Sequence, residues 1–306
     1  MLLQIYPEAA TREAVLDDPA TAPIPDVHKA LFRFTERFVR GSWQMGPEDL
    51  QALRDAGLCE RDVVNWATLG STQTWFTMSA DGGGIPMEAG MMTGPVVGKT
   101  REAYEATPEG LLAPPAAPAD SARTAGALAW VDTDLSGAEY RQAADAAKQR
   151  WGFVPNLFAA VSLAPRYYRR HALALELLEA PQSATLSARQ HAMVRALASQ
   201  LTRSPYGQAT TRALLERRAE PGLWDRLAET PAGDFDPADR VVLDFASKAA
   251  RHSYKITEKD AQSFREAGLD EAAYVDALNT VAVQVALDRL ANALGVAPDA
   301  QAILSG

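Results

Sequence analysis

Cysteine is almost absent from this chain. Cys59 stands alone among 306 residues, which rules out an intramolecular disulfide and a cysteine-rich metal site. Histidine is scarce as well. His28, His171, His191 and His252 are scattered with no H-x-x-x-H pair, so no metal centre is expected. Basic residues are in the minority. A net charge of −9 and a pI near 5.1 argue against nucleic acid as the main partner and against binding to an anionic membrane. No apolar run approaches spanning length, and the start MLLQIYPEAATREAV has no basic segment followed by a long apolar one. A cytoplasmic location is therefore expected. G-x-G-x-x-G and Walker spacings are missing too. The glycine cluster Asp81–Pro86, DGGGIP, has no preceding strand and reads as a helix stop, so no cofactor is expected.

What remains is a chain about half apolar and a quarter charged, long enough for two modest domains. Its periodicity is helical. Leu31, Phe34, Thr35 and Phe38 repeat at i, i+3, i+4, i+7 and mark one buried face. A second helix is expected to end at Ala56-Gly57, and a third to run from about Glu60 to Ala80. Strand-like alternation is absent, which predicts an all-α protein.

The strongest signal is a repeat. Residues 31–86 align without a gap on 242–297: Phe34 falls on Phe245, an offset of 211, and Arg40 on Arg251. Asp49 falls on Asp260, Gln51 on Gln262, Arg54 on Arg265, and Ala56-Gly57-Leu58 on Ala267-Gly268-Leu269. A duplicated three-helix unit follows, and two such units in one chain predict an internal pseudo-dimer.

A helix-turn-helix precedes only the second copy. The first helix is expected from Ser187 to Leu201, and the next opens at Ser204 with Pro205 in its first position. The resulting N-terminus gathers unpaired N–H groups near Gly207.

This stretch, with the W-G-F-V-P-N-L-F lead-in at 151–158, resembles the core of the alkylhydroperoxidase D / carboxymuconolactone decarboxylase family, in its peroxidase-related branch. The resemblance implies tandem helical domains of that type, the first copy truncated. Residues 1–109 would hold an arm and the truncated repeat, 110–125 a Pro/Ala-rich linker, and 126–306 a complete domain. The family's active motif has a Glu twelve residues before a Cys-x-x-Cys and a His four residues after it. Those positions fall here on Ala192, Ser204, Gly207 and Thr211, so every reactive group is replaced. Tyr206 matches the frequent C-x-Y-C form.

Candidate catalytic residues are Tyr206, Ser204, His191 and Thr211. Each has a plainer role available: a packed phenol, a helix cap, a surface histidine, a solvated threonine. Candidate substrate contacts are Gln208, Arg195, Trp75, Thr72 and Met78. Trp75, Thr72 and Met78 belong to a first half rich in Trp, Met and hydroxyls (Trp43, Trp66, Met87, Met91, Met92), which reads as core or as a pocket wall. The leading expectation is a small-molecule enzyme of non-thiol chemistry, of lyase, decarboxylase, isomerase or cyclase type. The alternatives are a non-catalytic ligand-binding or scaffold member, and a single-cysteine peroxidase using Cys59. A small-molecule substrate and self-association into a homo-oligomer are the partners expected.

Overall fold

The computed structural model describes residues 5–85, 127–165, 185–218, 222–229 and 235–299. The expected linker at 110–125, Met87, Met91 and Met92, and the part of the lead-in beyond 165 lie outside these residues. Among the described residues all regular structure is helical, and no helix is long and apolar enough to cross a membrane. In chain order the helices are α1 (Ala9–Asp17), α2 (Asp26–Gly41), α3 (Pro47–Asp55), α4 (Glu60–Gly82), α5 (Ala138–Trp151) and α6 (Asn156–Ala160). There follow α7 (Ala188–Thr202), α8 (Pro205–Arg218), α9 (Leu223–Glu229), α10 (Pro237–His252), α11 (Glu258–Glu266) and α12 (Glu271–Leu294).

The repeat appears in the coordinates almost residue for residue. Shifted by 211, α2 and α3 start and end on the first and last residues of α10 and α11, and α4 starts where α12 does. A 3-10 turn follows the first helix in each copy, Ser42–Gln44 and Ser253–Lys255. Glycine sits in the left-handed region after the second helix of both: Gly57 at φ 97°, Gly268 at φ 79°. Side-chain pairs repeat too. Arg37 binds Asp49 at 2.7 Å, and their counterparts Lys248 and Asp260 meet at 2.8 Å. Each carboxylate also accepts the backbone N–H that opens its helix, Gly46 N at 2.9 Å and Thr257 N at 2.7 Å.

Contacts between the copies are reciprocal, as a twofold relation requires. Ser42 Oγ accepts from Asn292 Nδ2 at 3.1 Å, and the counterpart Ser253 donates to Asp81 Oδ2 at 2.8 Å. The long helices α4 and α12 run antiparallel. Ser71 donates to the Ala286 carbonyl, while Gly82 lies against Leu278 and its carbonyl accepts from Tyr274. The side chain of Trp75 reaches both of the main apolar clusters at this seam.

Two segments outside the repeats and the motif helices are helical as well. The N-terminal arm carries α1, which seats Val15 in a small cluster with Tyr6, Ala22 and Ile24. The connector after Glu220 carries α9, because Leu223 and Leu227 bury their side chains under α7 and α8. At the glycine cluster, α4 runs to Gly82, and Gly83 N and Ile85 N close it onto the carbonyls of Ser79 and Ala80. That geometry belongs to a helix stop.

Candidate functional site

The positions of the family motif lie where α7 meets α8. Ser187 caps α7 by accepting from Gln190 N at 3.1 Å. The helix ends at Arg203, held in the left-handed region at φ 53°, with its guanidinium 5.3 Å from the Trp43 ring of the first repeat. Ser204 then opens α8. Its Oγ accepts from Gly207 N at 3.1 Å, and the residue is fully buried. Capping accounts for its hydroxyl. Thr211 is equally buried rather than solvated, and its hydroxyl donates back to the Gly207 carbonyl at 2.8 Å. Ala192 packs in the apolar cluster of α7 with Met193 and Val194.

Gly207 is the informative position. A Cβ there would lie 1.9 Å from Asp288 Oδ1 and 2.8 Å from Ser199 Oγ. The carboxylate of α12 therefore fills the space that a side chain at the second motif position would need. Sequence reasoning did not name Asp288. It is fully buried, with Oδ2 receiving Ser199 and Thr202 hydroxyls at 2.8 Å each and Oδ1 receiving Gln284 Nε2 at 2.9 Å. Burial pushes its carboxyl up to about 6, against these hydrogen bonds and the nearby Arg195 charge. Thr202 Oγ1 is also 2.9 Å from the Ala198 carbonyl. A hydroxyl has one proton to give, so Thr202 shares it between that carbonyl and Asp288.

Asp288 belongs to a ladder. Asp276, Thr280, Gln284, Asp288 and Asn292 follow at four-residue spacing on α12 and share one face. α7 answers with His191, Arg195, Ser199 and Thr202. His191 Nε2 is 3.0 Å from Asp276 Oδ2, and its Nδ1 is 3.1 Å from Thr280 Oγ1. Arg195 Nε donates to Gln284 Oε1 at 3.0 Å. His191 is only 1 % exposed, so the surface placement expected for it is overturned. It packs inward because both ring nitrogens find partners on α12.

Tyr206 faces a different carboxylate. Its ring packs with Ala129, Val131 and Leu157, and its phenol lies against Asp299. Asp299 is held by Asn156 N at 2.9 Å, from the P-N-L-F segment of the lead-in. Asp299 Oδ2 is buried without a well-formed hydrogen bond, so the phenol approaches this carboxylate only loosely. Burial pushes the Asp299 carboxyl up to about 6. Burial and then the Asp299 charge hold the Tyr206 phenol well above its usual range, so it stays protonated at neutral pH.

The remaining candidates do not converge on this site. Gln208 reaches back to the Ser199 carbonyl at 3.4 Å. Thr72 donates within α4 to the Thr68 carbonyl at 3.0 Å. Trp75 stacks on Phe76 and Met78 packs in the second cluster, both at the repeat seam. Cys59 is exposed at the start of α4, with Sγ 3.0 Å from Asp62 Oδ2. Among the described residues no group of three or more His, Cys, Asp or Glu has metal-ligating geometry.

No family model matches this chain, and no curated protein does. Two solved structures are similar in fold. One is an alkylhydroperoxidase AhpD core, an uncharacterized peroxidase-related protein from Ralstonia eutropha JMP134. It is 22 % identical with a TM-score of 0.52, over 58 % of this chain and 96 % of that one. The other is an uncharacterized peroxidase-related protein from Silicibacter sp. TM1040. It is 22 % identical with a TM-score of 0.50, over 56 % of this chain and 92 % of that one. The chain thus contains nearly the whole of an AhpD-like fold and a further part, which suits one complete and one partial repeat.

Proposed function

We propose that this protein is a non-catalytic member of the peroxidase-related fold, in which the motif pocket has become a structural core and binding or scaffolding falls to other surfaces. One observation carries the reading: the Asp288 carboxylate occupies the place of a Gly207 side chain. Around it Ser204, Thr211, Ser199, Thr202 and Gln284 spend their polar groups on one another or on the backbone, and each is 7 % exposed or less. A pocket needs polar groups left over for a ligand, and this ladder keeps few. Thiol chemistry has no support either, since Cys59 has no second cysteine to resolve it.

The test is consumption of hydrogen peroxide and of an organic hydroperoxide by the purified chain with a dithiol reductant. No consumption beyond that of the Cys59→Ser variant is expected. Consumption that disappears in Cys59→Ser would restore the single-cysteine peroxidase.

A second reading is favoured by Asp299, a buried carboxylate with a spare oxygen beside a protonated phenol. Such a pair can pass a proton to or from a small substrate, as lyase, decarboxylase or isomerase chemistry requires. Tyr206→Phe separates the two readings. Under the first it lowers stability by no more than about 1 kcal/mol, since the phenol meets Asp299 only loosely, and abolishes nothing. Turnover of a metabolite that vanishes in Tyr206→Phe while the melting temperature holds would establish the second.

A further inference from the structure

Both repeats carry the same polar clamp, and in the first repeat it holds a piece of chain. Arg54 of α3 and Glu60 at the start of α4 form a two-bond ion pair, Nε to Oε2 at 2.7 Å and Nη2 to Oε1 at 2.8 Å. The same Nη2 and Oε1 reach the backbone of a non-helical segment. Nη2 donates to the Trp130 carbonyl at 3.2 Å, and Oε1 accepts from Asp132 N at 2.9 Å. Val131, the residue between, is buried with Ala129 in the cluster that contains Val64. The segment is thus held by main-chain hydrogen bonds and by its apolar side chains, which is how peptides are recognised along an edge.

The second repeat has the same parts. Arg265, Glu271 and Val275 are the counterparts of Arg54, Glu60 and Val64 at the offset of 211. Among the described residues nothing covers them. Val275 is 50 % exposed where Val64 is fully buried, and the Glu271 side chain is 84 % exposed against 18 % for Glu60. Arg265 meets Glu271 only at 3.7 Å and turns its other nitrogen to Glu258 at 2.5 Å. Exposed pairs of this kind are worth little and exchange readily. A single exposed valine is ordinary. What distinguishes Val275 is that its surroundings are those that bind a chain segment in the first repeat.

We infer that Arg265, Glu271 and Val275 form a docking site for a non-helical peptide segment of a partner protein. That segment presents a carbonyl and, two residues on, an N–H, with a small branched apolar side chain between them. The first repeat supplies the pattern, Ala129-Trp130-Val131-Asp132. On docking, Arg265 leaves Glu258 for the carbonyl, Glu271 accepts the N–H, and the branched side chain covers Val275. The segment in the first repeat has a second anchor, since Trp130 N donates to the Leu294 carbonyl at 2.8 Å. The counterpart of Leu294 is Gly83, where α4 stops, so a docked peptide relies mainly on the clamp and the valine. The site gives a surface to the binding role proposed above without depending on it. The peroxide and turnover assays read α7 and α8, whereas peptide binding reads the corner of α11 and α12.

The test is fluorescence anisotropy of a labelled synthetic peptide of residues 127–134, Ala-Leu-Ala-Trp-Val-Asp-Thr-Asp, titrated with the full chain. Saturable binding with one site per chain is expected. Val275→Asp should weaken it by about tenfold or more, because a carboxylate replaces the apolar contact. Arg265→Met removes one hydrogen bond to the backbone and should weaken it by roughly threefold to tenfold. A peptide carrying Val131→Asp should not bind. Both substituted positions of the chain are exposed, so the variants should keep the parent melting temperature. Anisotropy that never saturates would overturn the inference. An affinity unchanged in both variants would overturn it too, by placing the peptide elsewhere on the chain. So would self-association of the chain that is lost in Val275→Asp, which would make the occupant a second copy.

Discussion

The two repeats are one unit placed in two environments, and α4 and α12 show what the environment decides. On α12 the face formed by Thr280, Gln284, Leu287 and Asp288 lies under α7 and α8, each residue 4 % exposed or less. The counterparts on α4 are Leu69, Gln73, Phe76 and Thr77. All four are exposed, Leu69 at 44 % and Phe76 at 59 %. The opposite holds on another face. Val64 is fully buried in the cluster that includes Ala129 and Val131, while its counterpart Val275 is 50 % exposed. Helix bounds, turn glycines and the Asp49/Asp260 contacts to the backbone are shared, so they come from the local sequence. Burial and polar wiring differ, so they come from what each copy packs against. The motif helices exist only beside the second copy, and only there did the long helix acquire a buried polar ladder.

The comparison breaks most visibly at Gly207, where the second repeat and the motif helices are closest. Glycine to alanine inside a helix ordinarily stabilises by up to about 1 kcal/mol. At Gly207 the sign should reverse, because the new methyl would meet Asp288 Oδ1 and Ser199 Oγ in a filled, hydrogen-bonded core. Overpacking and disruption of the network together should cost about 3 kcal/mol or more in chemical denaturation. Asp288→Ala makes room, so the double variant should be less unstable than the sum of the singles. Additive losses would mean that the carboxylate does not occupy this space.

This contact also shows how far the sequence could be read. The repeat was fully legible, because matched residues and turn glycines at one offset leave little freedom: Gly57 and Gly268 need the same positive φ. The role of Ser204 as a cap was legible for the same local reason. Asp288 was not, since one acid in an apolar helix has no local pattern that assigns its partner. A signal did exist. Polar residues every fourth position from Asp276 to Asn292, facing a like stripe from His191 on α7, describe a buried polar seam between two apolar helices. His191 was misplaced because its partners are 85 and 89 residues away. Trp75 and Met78 were legible as apolar mass; their place at the seam between the copies depends on the pseudo-twofold packing.

The second prediction uses proton linkage. The Asp288 carboxyl is raised to about 6 in the folded chain, against an unfolded value near 4. A group whose pKa rises on folding stabilises fully below the unfolded pKa, and that stabilisation is lost as pH climbs through the folded one. Unfolding free energy should therefore fall between about pH 4 and pH 7, by on the order of 3 kcal/mol for this group. Asp299 adds a fall of the same sign. Asp288→Asn removes one titration and should flatten the profile, whatever it does to stability overall. Thr77, the counterpart on α4, has nothing to titrate, so that position of the first repeat contributes no slope. A profile equally steep in Asp288→Asn would mean that the carboxylate is already ionised in the fold.

The mildest test compares Phe76 with Leu287, which share one position in the two copies. Truncating each to alanine asks whether local sequence or surroundings set the energy. Leu287 is 4 % exposed in the cluster with Tyr206, Val283 and Leu290, and its loss should cost about 2–3 kcal/mol through transfer and cavity terms. Phe76 is the larger side chain, and a ranking by size alone would make its loss the worse of the two. It stacks on Trp75 but is 59 % exposed, so its truncation should cost no more than about 1 kcal/mol, mainly the ring contact. Urea denaturation of the two variants measures the difference directly. A Phe76→Ala loss equal to that of Leu287→Ala would mean that the exposed face of α4 is covered in solution, and a concentration dependence of that loss would identify the cover as a second copy of the chain.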